Sequence, residues 1–303
     1  MLKRPVWFKH LADGPVTLDE LSQRIGVPCH NIRVLADAMV VLGFVERQGD
    51  SYQNGPVAST FLSGRTAADL RPLLRFWNKI SYPAWVHLEE TIRTSRPAVG
   101  HLEEELTKIV SEGVEALTSG AAMALRMIHD FRQHRRVLDL GGGTGSFLVA
   151  LLRQHQGLEA TLFDVPDVAA IARQRLASNP LMKHVKIVEG DIFKDPIPPE
   201  HDVILVANVV HLLSPAHNRE LLRRIREQIA NKTRLLLVDL WTDPTHTQPT
   251  FGALLAGEFM IASGEGASYS VEEMRVWLQE NGWRVLEHKS LAGPASLIVA
   301  ETA

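Results

Sequence analysis

Only one cysteine, Cys29, stands among the 303 residues. That excludes an intrachain disulfide and any metal site built from several thiolates, and it fits a reducing compartment. An excess of either charge is also missing. The 32 Lys plus Arg face 35 Asp plus Glu, a formal net of -3, without the basic surplus that binds phosphate backbones or anionic lipid. No stretch approaches the roughly 18 uninterrupted apolar residues of a membrane span. The segment Met1 to His10, carrying Lys3, Arg4 and Lys9, lacks the apolar run of a signal peptide. The expectation is a cytoplasmic protein whose partner is a small molecule rather than nucleic acid or membrane. What is plentiful is apolar material, 45% of residues, enough for two cores of ordinary size.

The chain opens with signals for short elements. Thr17 and Glu20 form a Thr-x-x-Glu capping box; Leu18, Leu21 and Ile25 follow at helical spacing, and Gly26 supplies the stop. Pro28 starts a second helix with Ile32, Leu35, Met39 and Leu42 on one face, ended by Gly43. Phe44 to Arg47, a turn at Gln48-Gly49-Asp50, and Ser51-Tyr52 then read as a small hairpin. Helix, turn, helix and hairpin predict a winged helix. Residues 1–64 hold six Lys or Arg (3, 4, 9, 24, 33, 47) and six Asp or Glu (13, 19, 20, 37, 46, 50), and Arg33 is the only fixed cation on the second helix. Groove binding needs several cations on phosphates, so the reading is a helical dimerisation domain over residues 1–100 and not a DNA reader.

Residues 66–130 read as several helices loaded with large side chains, among them Phe76, Trp77, Tyr82, Trp85, Met123 and Met127. Core packing accounts for such residues, and so does a pocket for a flat apolar ligand. Trp85, Met123 and Met127, with Trp241 and Phe259 further on, are the candidate substrate contacts. Arg93 to Gly100 is the most linker-like stretch, and a second domain is expected over residues 101–303.

From Arg135 the pattern changes to seven short apolar runs: 137–140, 160–163, 185–188, 203–209, 235–240, 284–288 and 296–300. Helices near 147–154, 168–177, 216–230 and 271–281 lie between them, the last opened by a second capping box, Ser270 with Glu273. Strands alternating with helices predict an α/β fold with a mostly parallel, seven-stranded Rossmann-like sheet. Gly282 leaves no room for a crossover helix and Ala292-Gly293-Pro294 is a tight connection, so the last two runs are expected to pair antiparallel.

The sharpest motif is Val137-Leu138-Asp139-Leu140-Gly141-Gly142-Gly143-Thr144-Gly145. Its glycines let the backbone turn tightly and approach a nucleotide-like ligand that any Cβ would strike. Asp164 follows 25 positions after Asp139 at the end of the next strand, with Val165 behind it, where a carboxylate can accept from both hydroxyls of a ribose. Gly190-Asp191-Ile192-Phe193 ends the third strand, placing Asp191 for an adenine amine and Ile192 for the ring face. Asn208 closes the fourth. NAD is the competing cofactor, but its third glycine would fall on Ser146, and its pyrophosphate needs a helix N-terminus. The extra Gly-Asp and the terminal hairpin favour S-adenosylmethionine, with S-adenosylhomocysteine as product. Asp139, Gly141, Gly143, Gly145, Asp164, Val165, Gly190, Asp191, Ile192, Phe193 and Asn208 are the candidate cofactor residues.

With these motifs in place the sequence resembles the plant-type small-molecule O-methyltransferases, the caffeate and acetylserotonin O-methyltransferase family with its bacterial natural-product members. The likeness takes in the winged helix, Tyr82-Pro83-Ala84-Trp85-Val86-His87-Leu88, the glycine loop, Phe163-Asp164-Val165-Pro166, the Gly-Asp segment and Ser296 to Ala300. It implies a class I S-adenosylmethionine-dependent methyltransferase preceded by a winged-helix dimerisation domain, a homodimer, and methyl transfer to a small aromatic hydroxyl compound.

After the fourth strand that family shows His-Asp-Trp with histidine as general base. Here the segment is His211-Leu212-Leu213, so the resemblance carries the base to His211 alone, and an orienting acid to Asp239 at the end of the fifth strand. The family's second acid falls on Ser268, and Tyr269-Ser270 replaces its Arg-Thr. Those departures keep carbon or nitrogen methylation, a non-methylating use of the cofactor, and a cofactor-sensing winged-helix regulator open as alternatives. A metal held by His211, His217 and Asp239 matches no tight ligand spacing, so none is expected.

Overall fold

A computed structural model describes residues 7–100, 102–177, 179 and 185–303. Lys3 and Arg4 of the N-terminal segment, and residue 101 at the expected start of the second domain, lie outside the described residues. The chain divides into two compact units, one of Met1–Lys79 with Glu112–Leu117, the other of Ile80–Ser111 with Thr118–Ala303.

The first unit contains α1 (Trp7–His10), β1 (Val16–Thr17), α2 (Leu18–Ile25), α3 (Cys29–Val41), β2 (Val45–Gln48), β3 (Ser51–Asn54), α4 (Pro56–Phe61) and α5 (Arg71–Phe76). The Thr17 box forms reciprocally with Glu20, and Gly26 takes the left-handed cap at φ 72°. The hairpin forms as well, and β1 adds to β3 to give a three-stranded antiparallel sheet of order β1-β3-β2.

The buried stripe of α3 differs from the expected one. Ile32 and Ala36 are its buried residues, and Met39, partly buried, packs against the same core cluster. Leu35 and Leu42 are 45% and 62% exposed. Small Ala36 lets the neighbouring elements come close, which rotates the packed face by one position from the line of large side chains.

The second unit contains α6 (Tyr82–Trp85), α7 (Leu88–Thr94) and most of α8 (Glu104–Ile128), followed by β4 (Arg136–Leu140), α9 (Ser146–Leu152), β5 (Glu159–Asp164) and α10 (Pro166–Ala177). After these come β6 (Val185–Glu189), β7 (Val203–Ala207), α11 (Pro215–Gln228), β8 (Arg234–Asp239), α12 (Thr250–Ser263), α13 (Val271–Glu280), β9 (Trp283–Ser290) and β10 (Ser296–Thr302). The seven strands run in the order β6-β5-β4-β7-β8-β10-β9. The first five are mutually parallel, and β10 enters antiparallel between β8 and β9.

Successive strand residues feed opposite faces of this sheet. Leu205, Leu236, Val238, Leu297 and Val299 pack with α9 and the end of α8, while Ile204, Leu235, Leu237, Ile298 and Ala300 pack with α11 and α13. Both faces are covered, which is why the strands read as continuous apolar runs rather than alternating ones.

Two helical features were not legible in outline. The region 104–128 is a single helix of 25 residues. The 14 residues of α12 carry one charge, Glu258, among apolar residues and two glycines, so no amphipathic stripe announces them. Among the described residues, no helix is long and apolar enough to cross a membrane.

Candidate active site

The parallel strands β4, β5, β6, β7 and β8 deliver the candidate residues to their carboxyl ends, the edge where open α/β sheets bind ligands. Gly141 leaves β4 at φ 72°, and its N–H donates to Phe163 O at 2.8 Å. A Cβ there would stand 2.7 Å from Val209 Cγ2. Gly143, at φ 57°, would meet no heavy atom within 4 Å. The first glycine thus fits the loop under a neighbouring side chain, while the second presents bare backbone to open space. Gly145 caps α9 at φ 78°.

Asp164 closes over this loop. Its carboxylate accepts from Gly143 N–H and from its own neighbour Val165 N–H, each at 2.8 Å; burial nevertheless pushes its pKa up. Asp139 is 1% exposed, and neither of its oxygens has a hydrogen-bond partner. Burial, then the nearby Asp164 charge, push it up to about 8. A buried carboxyl without donors is costly, so this corner suits a ligand that brings hydrogen-bond donors and positive charge. S-adenosylmethionine carries both, in its ribose diol, ammonium and sulfonium groups, and the residues present fit it.

Further along the same edge, Gly190 donates to Asp164 O at 2.9 Å, and a Cβ on it would strike the Phe163 ring at 2.5 Å. Asp191 accepts Phe193 N–H at 2.8 Å and pairs with Lys194 at 2.7 Å, and Lys194 lowers its pKa. Ile192 and Phe193 pack against the core on the α11 side. Asn208 is left-handed at φ 58°, its N–H tied to Val238 O.

His211 and Asp239 form a buried pair in the site. The Nδ1 to Oδ1 distance is 2.6 Å, and the pair is 9% and 2% exposed. The same carboxylate accepts the backbone N–H groups of His211 at 3.3 Å and Leu240 at 2.7 Å. With Nδ1–H donating to Asp239, Nε2 is left as the acceptor nitrogen, and it has no hydrogen-bond partner among the described residues. The ring lies on Phe259 of α12, centroids 3.8 Å apart and planes 21° from parallel. Ala267 N–H holds the His211 carbonyl at 3.0 Å.

The remaining candidates separate. His217 bonds Glu265 at 2.7 Å instead of joining His211, and no group of three metal-ligating side chains occurs among the described residues. Ser268 donates to Gly252 O at 2.7 Å. Tyr269, where the resembled family has arginine, donates its phenol to Leu213 O and so braces the segment after His211. Trp241 is buried on the α11 and α13 side, its indole N–H on Ser296 O at 3.1 Å. Met123 and Met127 are 55% and 71% exposed on α8.

Trp85 donates to Glu258 at 2.6 Å, as does Ser81. Two partners escaped the sequence reading: Glu258, signalled only by being the lone charge in an apolar helix, and Arg175, which donates to Thr144 Oγ1 in the glycine loop at 2.5 Å.

A seven-stranded sheet of this order, a glycine loop answered by acids on the next two strands, and a histidine beyond the fourth define a class I S-adenosylmethionine-dependent methyltransferase. The profile of the O-methyltransferase domain family matches residues 94–284, and the chain belongs to that family.

Similar proteins include the tetracenomycin polyketide synthesis 8-O-methyl transferase TcmO of Streptomyces glaucescens, 28% identical over 301 residues, covering 96% of this chain and 88% of that protein. Acetylserotonin O-methyltransferase of Mus musculus molossinus is 30% identical over 320 residues, covering 97% and 81%. The crystal structure of human N-acetylserotonin methyltransferase in complex with SAM superposes with a TM-score of 0.88 at 22% identity, covering 99% of this chain and 92% of that one.

Proposed function

We propose that this protein transfers the methyl group of S-adenosylmethionine to a hydroxyl of a small aromatic, natural-product-like compound, with His211 as general base and Asp239 as the acid that orients it. The observation that carries this reading is the buried 2.6 Å contact between His211 Nδ1 and Asp239 Oδ1, with Nε2 left to receive a proton. S-adenosylmethionine, when bound, supplies a methyl group already activated by its sulfonium. Asp164 would hold the ribose diol, Asp191 and Ile192 the adenine, and the bare backbone at Gly143 leaves the room.

His211 Nε2 takes the acceptor's hydroxyl proton as that oxygen becomes the nucleophile, and Asp239 steadies the imidazolium that forms. Phe259 keeps the ring from swinging away. Because the donor is preactivated, positioning of the acceptor supplies much of the acceleration. A cytoplasmic homodimer accompanies the reading, supported by the family resemblance and by the exposed apolar residues Val34, Leu35, Val41 and Leu42 of the first unit.

The test is His211→Ala with a panel of phenolic acceptors. Turnover is expected to fall about 100- to 10,000-fold while calorimetric affinity for S-adenosylmethionine stays unchanged. Wild-type turnover of these phenols in the variant would remove the base from the mechanism, whereas a wild-type protein that methylates none of them would leave carbon or nitrogen methylation as the better account.

A further inference from the structure

The short turn that carries His211 is tied down by side chains that the proton transfer itself does not use. Val210–Leu212 is a single 3-10 turn between β7 and α11, closed by Leu212 N–H on Val209 O at 3.0 Å and Leu213 N–H on Val210 O at 3.2 Å. One such turn is a weak mount, because its hydrogen bonds are poorly aligned. Asn218 of α11, 1% exposed, spans it from end to end, donating Nδ2 to Val210 O at 3.0 Å and to Leu213 O at 3.1 Å. Tyr269, 5% exposed, donates its phenol to the same Leu213 O at 2.5 Å. Between the two ends, Ala267 N–H donates to His211 O at 3.0 Å, and Gly266 lies so close that a Cβ on it would stand 2.5 Å from that oxygen.

We propose that Asn218 and Tyr269 are positioning residues for His211: they lock the carbonyls at the two ends of its turn, so that the imidazole stands at one place and angle when it takes the acceptor's proton. The inference rests on His211 as the base proposed above.

Asp239 and Phe259 hold the ring by one edge and one face, but Asp239 also accepts the backbone N–H of His211 at 3.3 Å. A turn that slides therefore changes the angle at Nδ1 together with the place of Nε2. Leu213 O has both lone pairs filled, one by an amide and one by a phenol. Turning Nδ2 to the two carbonyls leaves Asn218 Oδ1 buried without a partner, a cost that a residue present only to fill space would not incur. Burial, then the charges of Glu265, Glu273 and Asp239, push the Tyr269 phenol up to about 12, so it stays a donor at neutral pH. Small displacements of a reacting group are costly to turnover. In kinetic terms, loosening the turn lowers kcat and leaves the binding of acceptor and cofactor unchanged.

The experiment measures methylation of 2-naphthol and the downfield proton NMR spectrum for wild type, Tyr269→Phe, Asn218→Ala, His211→Gln and the double variant Tyr269→Phe with His211→Gln. The Nδ1–H of His211, buried on Asp239, gives the resonance that disappears in His211→Gln. Tyr269→Phe is expected to lower kcat roughly five- to tenfold, the scale of one lost hydrogen bond. KM for naphthol and calorimetric affinity for S-adenosylhomocysteine should not change, while the resonance shifts and exchanges faster with water. Asn218→Ala, which strips both ends of the turn, should do the same more strongly. In the double variant the two losses overlap, and turnover stays at the level of His211→Gln.

Should Asn218→Ala not fold, Tyr269→Phe, which keeps its ring edge-on to Trp277 with centroids 4.9 Å apart, carries the comparison. A wild-type kcat in Tyr269→Phe, a resonance that does not move, or an equal further loss on the His211→Gln background would each overturn the proposal. Wild-type turnover in His211→Gln sinks the base instead, and a wild-type protein inert toward 2-naphthol sinks the choice of acceptor. In either case the resonance, which needs neither, decides whether Asn218 and Tyr269 orient the ring.

Discussion

Acidification should destabilise the second unit through a histidine pair remote from the chemistry. His129, the C-cap of α8, and His134, just before β4, approach with Nε2 to Nε2 at 3.0 Å and rings stacked 14° from parallel. One proton serves both nitrogens, so the second cannot be accommodated without breaking the contact. Burial, then the charge of His134, hold His129 down at about 4, and burial lowers His134 as well. Asp130, Asp202, Glu287, Lys289 and Arg234 are the charged groups around the pair.

In the unfolded chain a histidine titrates near about 6.5. Between that value and about 4 the unfolded state binds a proton that the folded state refuses, so stability falls as pH falls through the window. For His129 the loss reaches an upper bound of about 3 kcal/mol, a large part of the roughly 5–15 kcal/mol that holds a domain together. Urea unfolding at pH 7, 5.5 and 4.5 measures it, with His129→Gln as the partner experiment. The slope of wild type between pH 6.5 and 4.5 should exceed that of the variant by up to about 1.4 kcal/mol per pH, one proton's worth. Carboxylates common to both proteins cancel in the comparison. Identical slopes would refute the argument.

Three further outcomes follow from the site. If His211 is the base proposed above, Asp239→Asn removes the charge that would steady its imidazolium and should lower kcat about 100-fold or more, with cofactor affinity retained in calorimetry. Gly143→Ala and Gly141→Ala should separate function from folding. The first adds a methyl to open space and is expected to weaken S-adenosylmethionine binding at modest thermal cost, whereas the second drives a Cβ into Val209 and should lower the melting temperature by several degrees. Asp164→Ala frees the Gly143 N–H and removes the carboxylate proposed to hold the ribose, so calorimetric binding of both S-adenosylmethionine and S-adenosylhomocysteine should disappear.

The elements that sequence reading located are those with local signals. Thr17 and Ser270 announce their helices by capping boxes, Gly26 and Gly145 sit where only a left-handed residue serves, and buried parallel strands appear as apolar runs because both faces are covered. The glycine loop with Asp164 was legible because a turn that tight demands glycine. Its depth was not, since the missing donors around Asp139 are a property of packing.

The stripe of α3 went astray because Ala36 carries no hydrophobic signal comparable with Leu35. Helix α12 stayed hidden because uniform apolarity has no period, and with it went the partnerships of Phe259 with His211 and of Glu258 with Trp85, contacts between residues 48 and 173 positions apart. Trp241 illustrates the reverse: an indole beside a predicted site that the alternation of the β8 edge turns into the opposite core.

The position of β10 bears on the order of synthesis. Strand β9 leaves the ribosome first, yet its place in the finished sheet is outside β10, and Ser296 of β10 is the register partner of Asp239. Until residues 296–302 emerge, β8 is an unpaired border of Leu235, Leu236, Leu237 and Val238, an adhesive edge for any other nascent chain. Asp239, the hydrogen-bond partner of His211, thus sits on the last seam to close, and a polypeptide cut short before Ser296 would combine a nearly complete glycine loop with a sheet prone to recruit its neighbours.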